Sequence, residues 1–325
     1  MNRLLLLISL LVVPLCSFAQ QKSQYSQYMI NNYLLNPAIT GLEDYADVKI
    51  GYRNQWSGVN GAPVTFYLSG HTRLDGKGEH RKGKTNGQNK PVAFAPEAPL
   101  NGVTRRVKPH HGIGGILLRD RIGPFSRTEA TISYAYHLPL TSNIRLATGT
   151  SAGVISQTLR PDEVTFANPN DMAATGSNKW SPNLSTGLWL YADNFYLGAS
   201  ANQLFANVAA TDKQAGDNQL RSHYFLTSAY KFAPTSSLAF IPSVLVKWVQ
   251  PVPVSVDYNL RVLYEDNYWA GFSYRQQDSF ILLAGLTLNH QFDLGYAYDL
   301  GVSSLSSKSA GSHEIVLGMR LHKKH

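Results

Sequence analysis

The second half of the chain alternates between apolar and polar positions with a period of two. Between residues 290 and 300 most even positions are aromatic or aliphatic, and the odd positions are small, amide-bearing or acidic. Residues 238–248, 254–264 and 312–321 alternate in the same way. Because successive side chains of a strand point to opposite faces, each segment predicts a strand with one apolar and one polar face.

Segments of about ten alternating residues, separated by turn residues, are typical of membrane β-barrels. Soluble sandwich strands average ~5–6 residues, whereas several segments here are longer. Aromatic residues recur near the predicted strand ends, where they suit the two membrane interfaces. They are Tyr191, Tyr196, Tyr224, Trp248, Tyr264, Tyr268, Trp269 and Tyr274. We therefore favour a membrane barrel over a soluble all-β domain.

The predicted fold is all-β, a transmembrane antiparallel β-barrel of about fourteen strands. The predicted strands are 47–53, 65–72, 112–120, 125–137, 143–158, 181–191, 194–203, 220–232, 237–249, 253–264, 268–275, 279–288, 289–299 and 312–321. With a periplasmic start, the periplasmic connections are short and the opposite ones (160–180, 204–219, 301–311) are longer, as in bacterial barrels. The segment 73–111 breaks this rule, so it is either a periplasmic insertion or evidence that two early strands are miscounted.

The first nineteen residues have the features of a signal peptide. A basic start is followed by the apolar run 4–13, and Ser17–Ala19 provides small residues before a cut at Gln20. A lipoprotein signal ending at Cys16 is the alternative, but Leu15 is bulky for that cleavage. The predicted organisation is a signal peptide at 1–19, a periplasmic or plug segment at 20–46 and an outer-membrane barrel at 47–325.

Charge and cysteine content narrow the environment. Cys16 is the only cysteine, so the exported chain has no disulfide framework. The net charge of +8 is concentrated in a basic insertion at 73–111, which has nine Lys or Arg against three acids. Such a segment is a solvated surface or a contact for an anionic partner. Export argues against nucleic acid, so the expected partners are outer-membrane lipid and proteins.

The sequence contains no persuasive catalytic or metal motif. H-E-x-x-H and C-x-x-C are missing. Residues 149–153 read G-T-S-A-G and match G-x-S-x-G by spacing, but they lie within the predicted strand 143–158 and not at the strand-to-helix turn that a nucleophile elbow requires. The pair His110–His111 lacks further ligands, so we expect a solvated loop pair and not a metal site. Gly112, Gly114 and Gly115 predict a bend or close packing in a strand. We expect no enzyme and no cofactor; an outer-membrane hydrolase is the weakest alternative.

Seven charged residues fall on the polar faces of the predicted strands. They are Lys247, Asp257, Arg261, Asp293, Asp299, Glu314 and Arg320. One interpretation is a selective pore, which would make the protein a porin-like channel for a small solute. The other, which we prefer, is an ion-paired lumen that holds a plug or stays wet.

Two stretches near the start of the mature chain carry a family resemblance. Residues 24–41 read QYSQYMINNYLLNPAITG, and residues 52–65 read YRNQWSGVNGAPVT. They resemble the PorP/SprF family of type IX secretion system membrane proteins from Bacteroidetes, in which S-Q-Y-M leads to N-P-A and a glycine, and R-x-Q-W-x-G follows. The candidate motif or partner-binding residues are Tyr28, Met29, Asn36, Pro37, Gly41, Arg53, Gln55, Trp56, Gly58 and Pro63.

The resemblance implies a binding function and no catalytic activity. Family members look like outer-membrane partners of a secreted adhesin-like protein, which each binds through its C-terminal targeting region and helps to export or anchor. Other type IX secretion or gliding subunits are further implied partners. One departure is the ending at residues 321–325, which lacks the closing aromatic residue of many barrels.

Three local expectations accompany the resemblance. Residues 25–37 should fold back against the periplasmic mouth or into the lumen, and Trp56 should organise the first extracellular loop. Because loops on a rigid barrel commonly carry recognition, segments 160–180 and 204–219 are the leading contacts for a secreted partner.

Overall fold

The structure is a computed structural model that describes residues 25–74, 108–161, 177–205, 221–302 and 309–321. Three predicted features lie wholly or mostly outside the described residues. They are the signal peptide, the basic insertion and the two loops expected to contact a secreted partner, 160–180 and 204–219. Within the described ranges, no helix is long and apolar enough to cross a membrane.

Fourteen antiparallel strands form a closed barrel in which each strand pairs with its sequence neighbours and β1 pairs with β14. The strands are β1 Ala46–Asn54, β2 Val64–Leu74, β3 His110–Ile122, β4 Phe125–Pro139, β5 Arg145–Leu159, β6 Ser177–Tyr191, β7 Phe195–Asn202, β8 His223–Tyr230, β9 Leu238–Val249, β10 Val252–Tyr264, β11 Tyr268–Arg275, β12 Ser279–Leu288, β13 Phe292–Gly301 and β14 Ser312–Leu321. Three 3-10 helices precede them: η1 Tyr28–Ile30, η2 Asn32–Leu34 and η3 Pro37–Ile39. The predicted barrel and its strand count are confirmed, and the largest boundary difference is at β6, which starts at 177 and not at 181.

The strand connections separate into two ends of the barrel. The turn end contains the start of β1, the end of β14 and the short connections 140–144, 192–194, 231–237, 265–267 and 289–291. The loop end contains the longer connections 160–176 and 203–222. The connection from β2 to β3 lies at the turn end, so no early strand was miscounted.

The basic insertion is shorter than the predicted 73–111. Strand pairing continues through Arg73, which lies opposite Gly112, and Leu74, which lies opposite His111. His110 also pairs with His137 of β4. The insertion is therefore limited to residues 75–109, because backbone pairing with both neighbouring strands extends β2 and β3 at this edge.

The alternating pattern separates the two faces of the wall as predicted. In β12, Leu282 is 52% exposed on the outer face, whereas its neighbour Ile281 is 1% exposed on the inner face. In β14, Leu317 and Val316 differ in the same way. An outer band of large apolar side chains matches the hydrocarbon region of a bilayer, where a closed barrel leaves no backbone group unpaired.

The predicted aromatic belt is only partly correct. Tyr224, Trp248, Tyr264 and Tyr268 are exposed on the outer wall, as expected for a membrane interface. Tyr191 and Tyr196 are instead buried on the inner face, in a cluster with Trp189. Their parity within β6 and β7 turns them inward, and the content of the lumen covers them.

Candidate functional site: the plugged lumen

Residues 25–45, here called the lumen plug, run through the inside of the barrel. Traced backwards from the start of β1 at the turn end, the chain passes through η3, η2 and η1 and reaches the loop end at Tyr25. The carbonyl of Tyr25 accepts a hydrogen bond from Arg275 of β11 at 3.4 Å. Most residues from 25 to 41 are buried. Of the two sequence-based alternatives for this segment, the structure shows the one inside the lumen.

The plug packs against apolar side chains on the inner wall, although the sequence pattern predicts a polar inner face. Plug residues Tyr25, Tyr28, Met29, Leu34 and Leu35 belong to one buried cluster. The wall contributes Tyr67, Leu118, Phe225, Leu245, Ile281, Leu283, Ala297 and Val316. Burial of this apolar area stabilises the plug by ~25 cal/mol for each Å² removed from water. A water-filled pore would leave those side chains exposed.

Buried charges hold the plug at the loop end. Glu314 accepts hydrogen bonds from the backbone N–H groups of Ser26 at 2.7 Å and Gln27 at 3.2 Å. Arg53 pairs with Asp299 at 2.7 Å and Glu314 at 3.2 Å, and also donates to the Ser26 hydroxyl. That hydroxyl donates to Asp299 at 2.7 Å. We call Ser26, Arg53, Asp299 and Glu314 the N-terminal anchor, since buried charges need such partners.

A second charge group lies beside the N-terminal anchor. Asp257 of β10 is fully buried and accepts from Lys247 of β9 at 2.9 Å and Arg275 of β11 at 3.3 Å. Arg275 also pairs with Asp278 at 3.2 Å. Because Arg275 also donates to the Tyr25 carbonyl, this second charge group is a further attachment point for the plug.

Neutral hydrogen bonds hold the middle of the plug. Tyr33 hydrogen-bonds to Ser133 of β4 at 2.6 Å, and burial raises the pKa of Tyr33 to about 12, which keeps its hydroxyl protonated. The Asn31 amide donates to Ser69 at 2.9 Å. Together these contacts attach the plug to β2 and β4 at mid-height, without any charge.

Strand glycines allow the plug to approach the wall backbone. A Cβ on Gly149 would lie 2.5 Å from the Ala38 Cα, and one on Gly187 would lie 2.0 Å from Asn36 Oδ1. Asn36 uses this space to donate to the Leu188 carbonyl of β6 at 2.9 Å. Gly112, expected to be a close-packing glycine, meets the carbonyl of Thr40 in the same way.

Three histidines surround the plug backbone at the turn end. Nε2 of His137 lies 2.9 Å from the Thr40 carbonyl, and Nε2 of His110 lies 3.1 Å from the Gly41 carbonyl. Since a carbonyl only accepts, both nitrogens carry hydrogen and donate. Nδ1 of His71 accepts from the Gly41 N–H at 3.2 Å. Gly41 has a φ of +75°, a left-handed conformation that favours glycine.

The prediction that His110–His111 form a solvated loop pair is wrong. Both residues belong to β3; His110 points inward and is 6% exposed. His111 points outward, where its Nδ1 is 2.5 Å from the hydroxyl of Tyr134. Strand alternation separates the two rings, so they cannot share a metal ion. Among the described residues, no group of three or more His, Cys, Asp or Glu side chains is arranged to hold one.

A cavity of about 100 Å³ lies between the plug and the wall, lined by residues that include Glu43, Tyr45, Asp47, Arg261 and Trp269. Burial, followed by the nearby Asp47, raises the pKa of Glu43 to about 8. The carboxyl group of Glu43 is therefore largely protonated at neutral pH. The cavity also contains the ion pair between Arg320 and Asp293, at 2.7 Å.

All seven charged residues predicted for the lumen lie on the inner wall. Asp299 and Glu314 belong to the N-terminal anchor, and Lys247 and Asp257 belong to the neighbouring charge group. The three that line the cavity are Arg261, Asp293 and Arg320. Three further inner-wall residues are missing from the predicted set, although the same period of two places each on the inner face: Arg275, His71 and His137.

The structure divides the candidate motif residues into two groups. Tyr28, Met29, Asn36, Pro37 and Gly41 are buried within the lumen plug. Arg53 is the wall residue that joins the second motif to the first, through Ser26. These side chains serve plug attachment and are covered from external molecules.

The remaining motif residues lie in the loop that joins β1 to β2. Trp56 has a φ of +53° and its backbone N–H donates to Ser312 at 3.1 Å, while Ser57 exchanges backbone hydrogen bonds with residues 310 and 311. The backbone N–H of Gln55 donates to the carbonyl of Pro63. Pro63 is buried, whereas Gly58 is exposed. This loop is therefore attached to the connection between β13 and β14.

The sequence matches the family described as "Type IX secretion system membrane protein PorP/SprF" over residues 17–319. The chain belongs to the PorP/SprF family. The match extends the resemblance from the first seventy residues to nearly the whole barrel. This PorP/SprF chain is thus an outer-membrane barrel with a lumen plug, and the protein is a multi-pass protein of the outer membrane.

Solved structures similar to this PorP/SprF chain are outer-membrane barrels. The Acinetobacter baumannii outer membrane protein Omp33 is 8% identical, with a TM-score of 0.50, over 87% of this chain and 100% of that chain. The Pseudomonas putida toluene transporter TodX is 10% identical, with a TM-score of 0.47, over 93% of this chain and 95% of that chain. No curated protein sequence matches. At such low identity the likeness to Omp33 shows the fold alone.

Proposed function

We propose that this PorP/SprF barrel binds one specific secreted surface protein, an adhesin-like client, through its C-terminal targeting region and helps to export or anchor it. The observation that carries the proposal is the lumen plug. A plug attached from the loop end to the turn end leaves recognition, and not transport through the barrel, as the role that the architecture supports. The proposed role needs no catalysis.

The plug also weighs against a porin-like channel. Its attachment includes the ion pairs of Arg53, many neutral hydrogen bonds and an apolar cluster. The cavity of about 100 Å³ beside it is smaller than the ~300–1,000 Å³ of typical small-molecule sites. A solute would have to displace the plug and expose buried charges.

The loop end supports client binding on a rigid frame. The β1–β2 loop, with Trp56, is fixed to the β13–β14 connection by hydrogen bonds from Ser57 and Ala310. Recognition commonly resides on loops held by such a scaffold. The longer connections 160–176 and 203–222 open at the same end, so we propose them as the main client contacts, together with other type IX secretion or gliding subunits.

The test is an affinity pull-down of the tagged protein from cross-linked outer membranes, read by mass spectrometry. We expect one large surface protein with a C-terminal targeting region, together with secretion subunits. Variants with 162–175 and 206–219 replaced by Gly-Ser linkers should lose the client, whereas replacement of the turn-end residues 233–236 should not. Recovery of the barrel alone, with ion conductance in planar bilayers, would favour a channel instead.

A further inference from the structure

Four consecutive strands bring two arginine and two histidine side chains to one part of the inner wall at the turn end, and the arginines carry its charge. Arg73 of β2, His110 of β3, His137 of β4 and Arg145 of β5 all occupy inward positions close to this edge. The strand register aligns them, since Arg73 is opposite Gly112, His110 is opposite His137 and Arg145 is opposite Pro139. We call these four residues the basic rim.

The members of the basic rim on β3–β5 form a continuous series of contacts. The rings of His110 and His137 stack with centroids 4.3 Å apart. His137 Nδ1 lies 2.9 Å from the Tyr191 hydroxyl, and the Arg145 guanidinium carbon lies 5.8 Å from the Tyr191 ring centroid. Nδ1 of His110 and Nε of Arg145 are buried and have no hydrogen-bond partner in the part of the chain that the structure describes. The Nε group of Arg145 is a donor that suits an additional anionic ligand at the mouth, whereas Nδ1 of His110 is an acceptor because Nε2 carries the ring hydrogen.

The charge around the basic rim is positive. Arg73 and Arg145 are half-buried at the mouth, and Lys108 is exposed directly before β3. The acid that faces Tyr191 from the plug is Glu43, whose pKa is raised by burial to about 8. It therefore cancels little of this charge at neutral pH. The sequence from 73 to 111, which begins and ends here, contains nine Lys or Arg against three acids.

We propose that the basic rim binds a carboxylate-rich polypeptide segment that approaches the barrel from the turn end. Guanidinium groups recognise carboxylates with charge-assisted, often bidentate hydrogen bonds. An anionic lipid headgroup is the other anion of this environment, but Arg73 and Arg145 point into the mouth and away from the lipid. This contact lies opposite the proposed client loops and goes beyond the client role, so either assignment can fail alone.

The first test measures binding of a fluorescein-labelled oligoglutamate peptide to the full-length protein in detergent, by fluorescence anisotropy. We expect saturable binding that weakens with salt, because the contacts are charge pairs. The double variant Arg73→Gln/Arg145→Gln should bind roughly tenfold more weakly or worse. Lys231→Gln, which removes a turn-end cation outside the basic rim, should bind like the wild type.

The controls separate the rim from other sources of binding. Wild-type affinity in the double variant would overturn the proposal, since the site would then lie elsewhere. Binding to phosphatidylglycerol vesicles but not to oligoglutamate would also overturn it, in favour of lipid. A test without any variant uses carbodiimide coupling of the peptide to the unmodified protein. Coupling at Lys108 supports the rim, whereas coupling confined to Lys179, Lys231 or Lys247 contradicts it.

Discussion

Buried ionisable residues determine where the lumen plug is attached. Arg53 occupies the position where both family motifs meet, because its guanidinium pairs with Asp299 and Glu314 while those acids bind Ser26. Removal of one member of such a group leaves the others charged in a low-dielectric site. The N-terminal anchor should therefore respond to substitution as a unit.

Replacement of Arg53 by Met should destabilise the plugged state by about 3–5 kcal/mol, because two buried carboxylates lose their cation. The mature chain has no other cysteine if the signal peptide is removed, so Ser26→Cys provides a single reporter site. Maleimide labelling of this reporter in the native protein should accelerate in the Arg53→Met background. Arg221→Met, which removes a partly exposed loop-end arginine that makes no contact with the plug or the N-terminal anchor in the described residues, is the matched control. A reporter that stays protected contradicts the role of Arg53.

Glu43 predicts a specific pH dependence of stability. Burial and the nearby Asp47 raise its pKa in the folded state to about 8, from an ordinary value of 4.5. The folded state therefore binds the proton more tightly than the unfolded state, and stability falls as pH rises between these two values. Glu43→Gln should remove this part of the decline. The measurement is the temperature at which half of the barrel unfolds, detected by its changed mobility in gel electrophoresis, at a series of pH values from 5 to 9. Glu265→Gln, at an exposed turn-end position, should leave the slope unchanged.

Among secondary-structure elements, the strands were predictable and the plug path was not. The period of two identified all fourteen strands, because each has one lipid-facing and one lumen-facing side, as Leu282 and Ile281 illustrate. The plug has no such period, and its contacts join distant residues such as Ser26 and Glu314. Only the aromatic content of residues 25–35 indicated that this segment docks somewhere.

The sequence also did not indicate which strand positions pack against the plug. Gly149 and Gly187 resemble other strand glycines in the sequence, yet the plug backbone or Asn36 occupies the place of a side chain at each. Tyr191 and Tyr196 were assigned to the membrane belt because aromatic character alone does not distinguish lipid from a plug. Their inward parity was the information that decided between the two.

Replacement of Gly149 by Ala should loosen the contact between β5 and η3. The added methyl would lie 2.5 Å from the Ala38 Cα and the Pro37 carbonyl, which are backbone atoms that cannot move separately. We expect a loss of about 1–3 kcal/mol, typical of overpacking. Gly70→Ala, whose nearest neighbour would be 3.7 Å away, should change stability by less than about 0.5 kcal/mol. Equal thermal midpoints for the two variants would argue against a close plug contact.

We expect the barrel and plug together to act as one sealed body in the membrane. Deletion of residues 25–42 removes the plug side of the apolar cluster and the acceptors of His110 and His137, while the residues of all fourteen strands remain. We expect the wild-type protein to give no steady current in planar bilayers and the deletion variant to conduct. Cation and anion permeability of the variant would report the charge of the exposed wall. Steady conductance of the wild type at the same level would mean that the plug does not seal the barrel.

The span of the N-terminal anchor has a consequence for biogenesis. Ser26 bonds to Glu314, 288 positions later, and β14 must pair with β1 before the wall around Glu314 exists. We therefore expect the plug residues to reach their partners last, although they precede every strand in the sequence. Until then Tyr25, Tyr28, Met29 and Leu34 expose apolar surface, which periplasmic chaperones have to shield. Attachment of the plug would then be the last step in the assembly of this barrel.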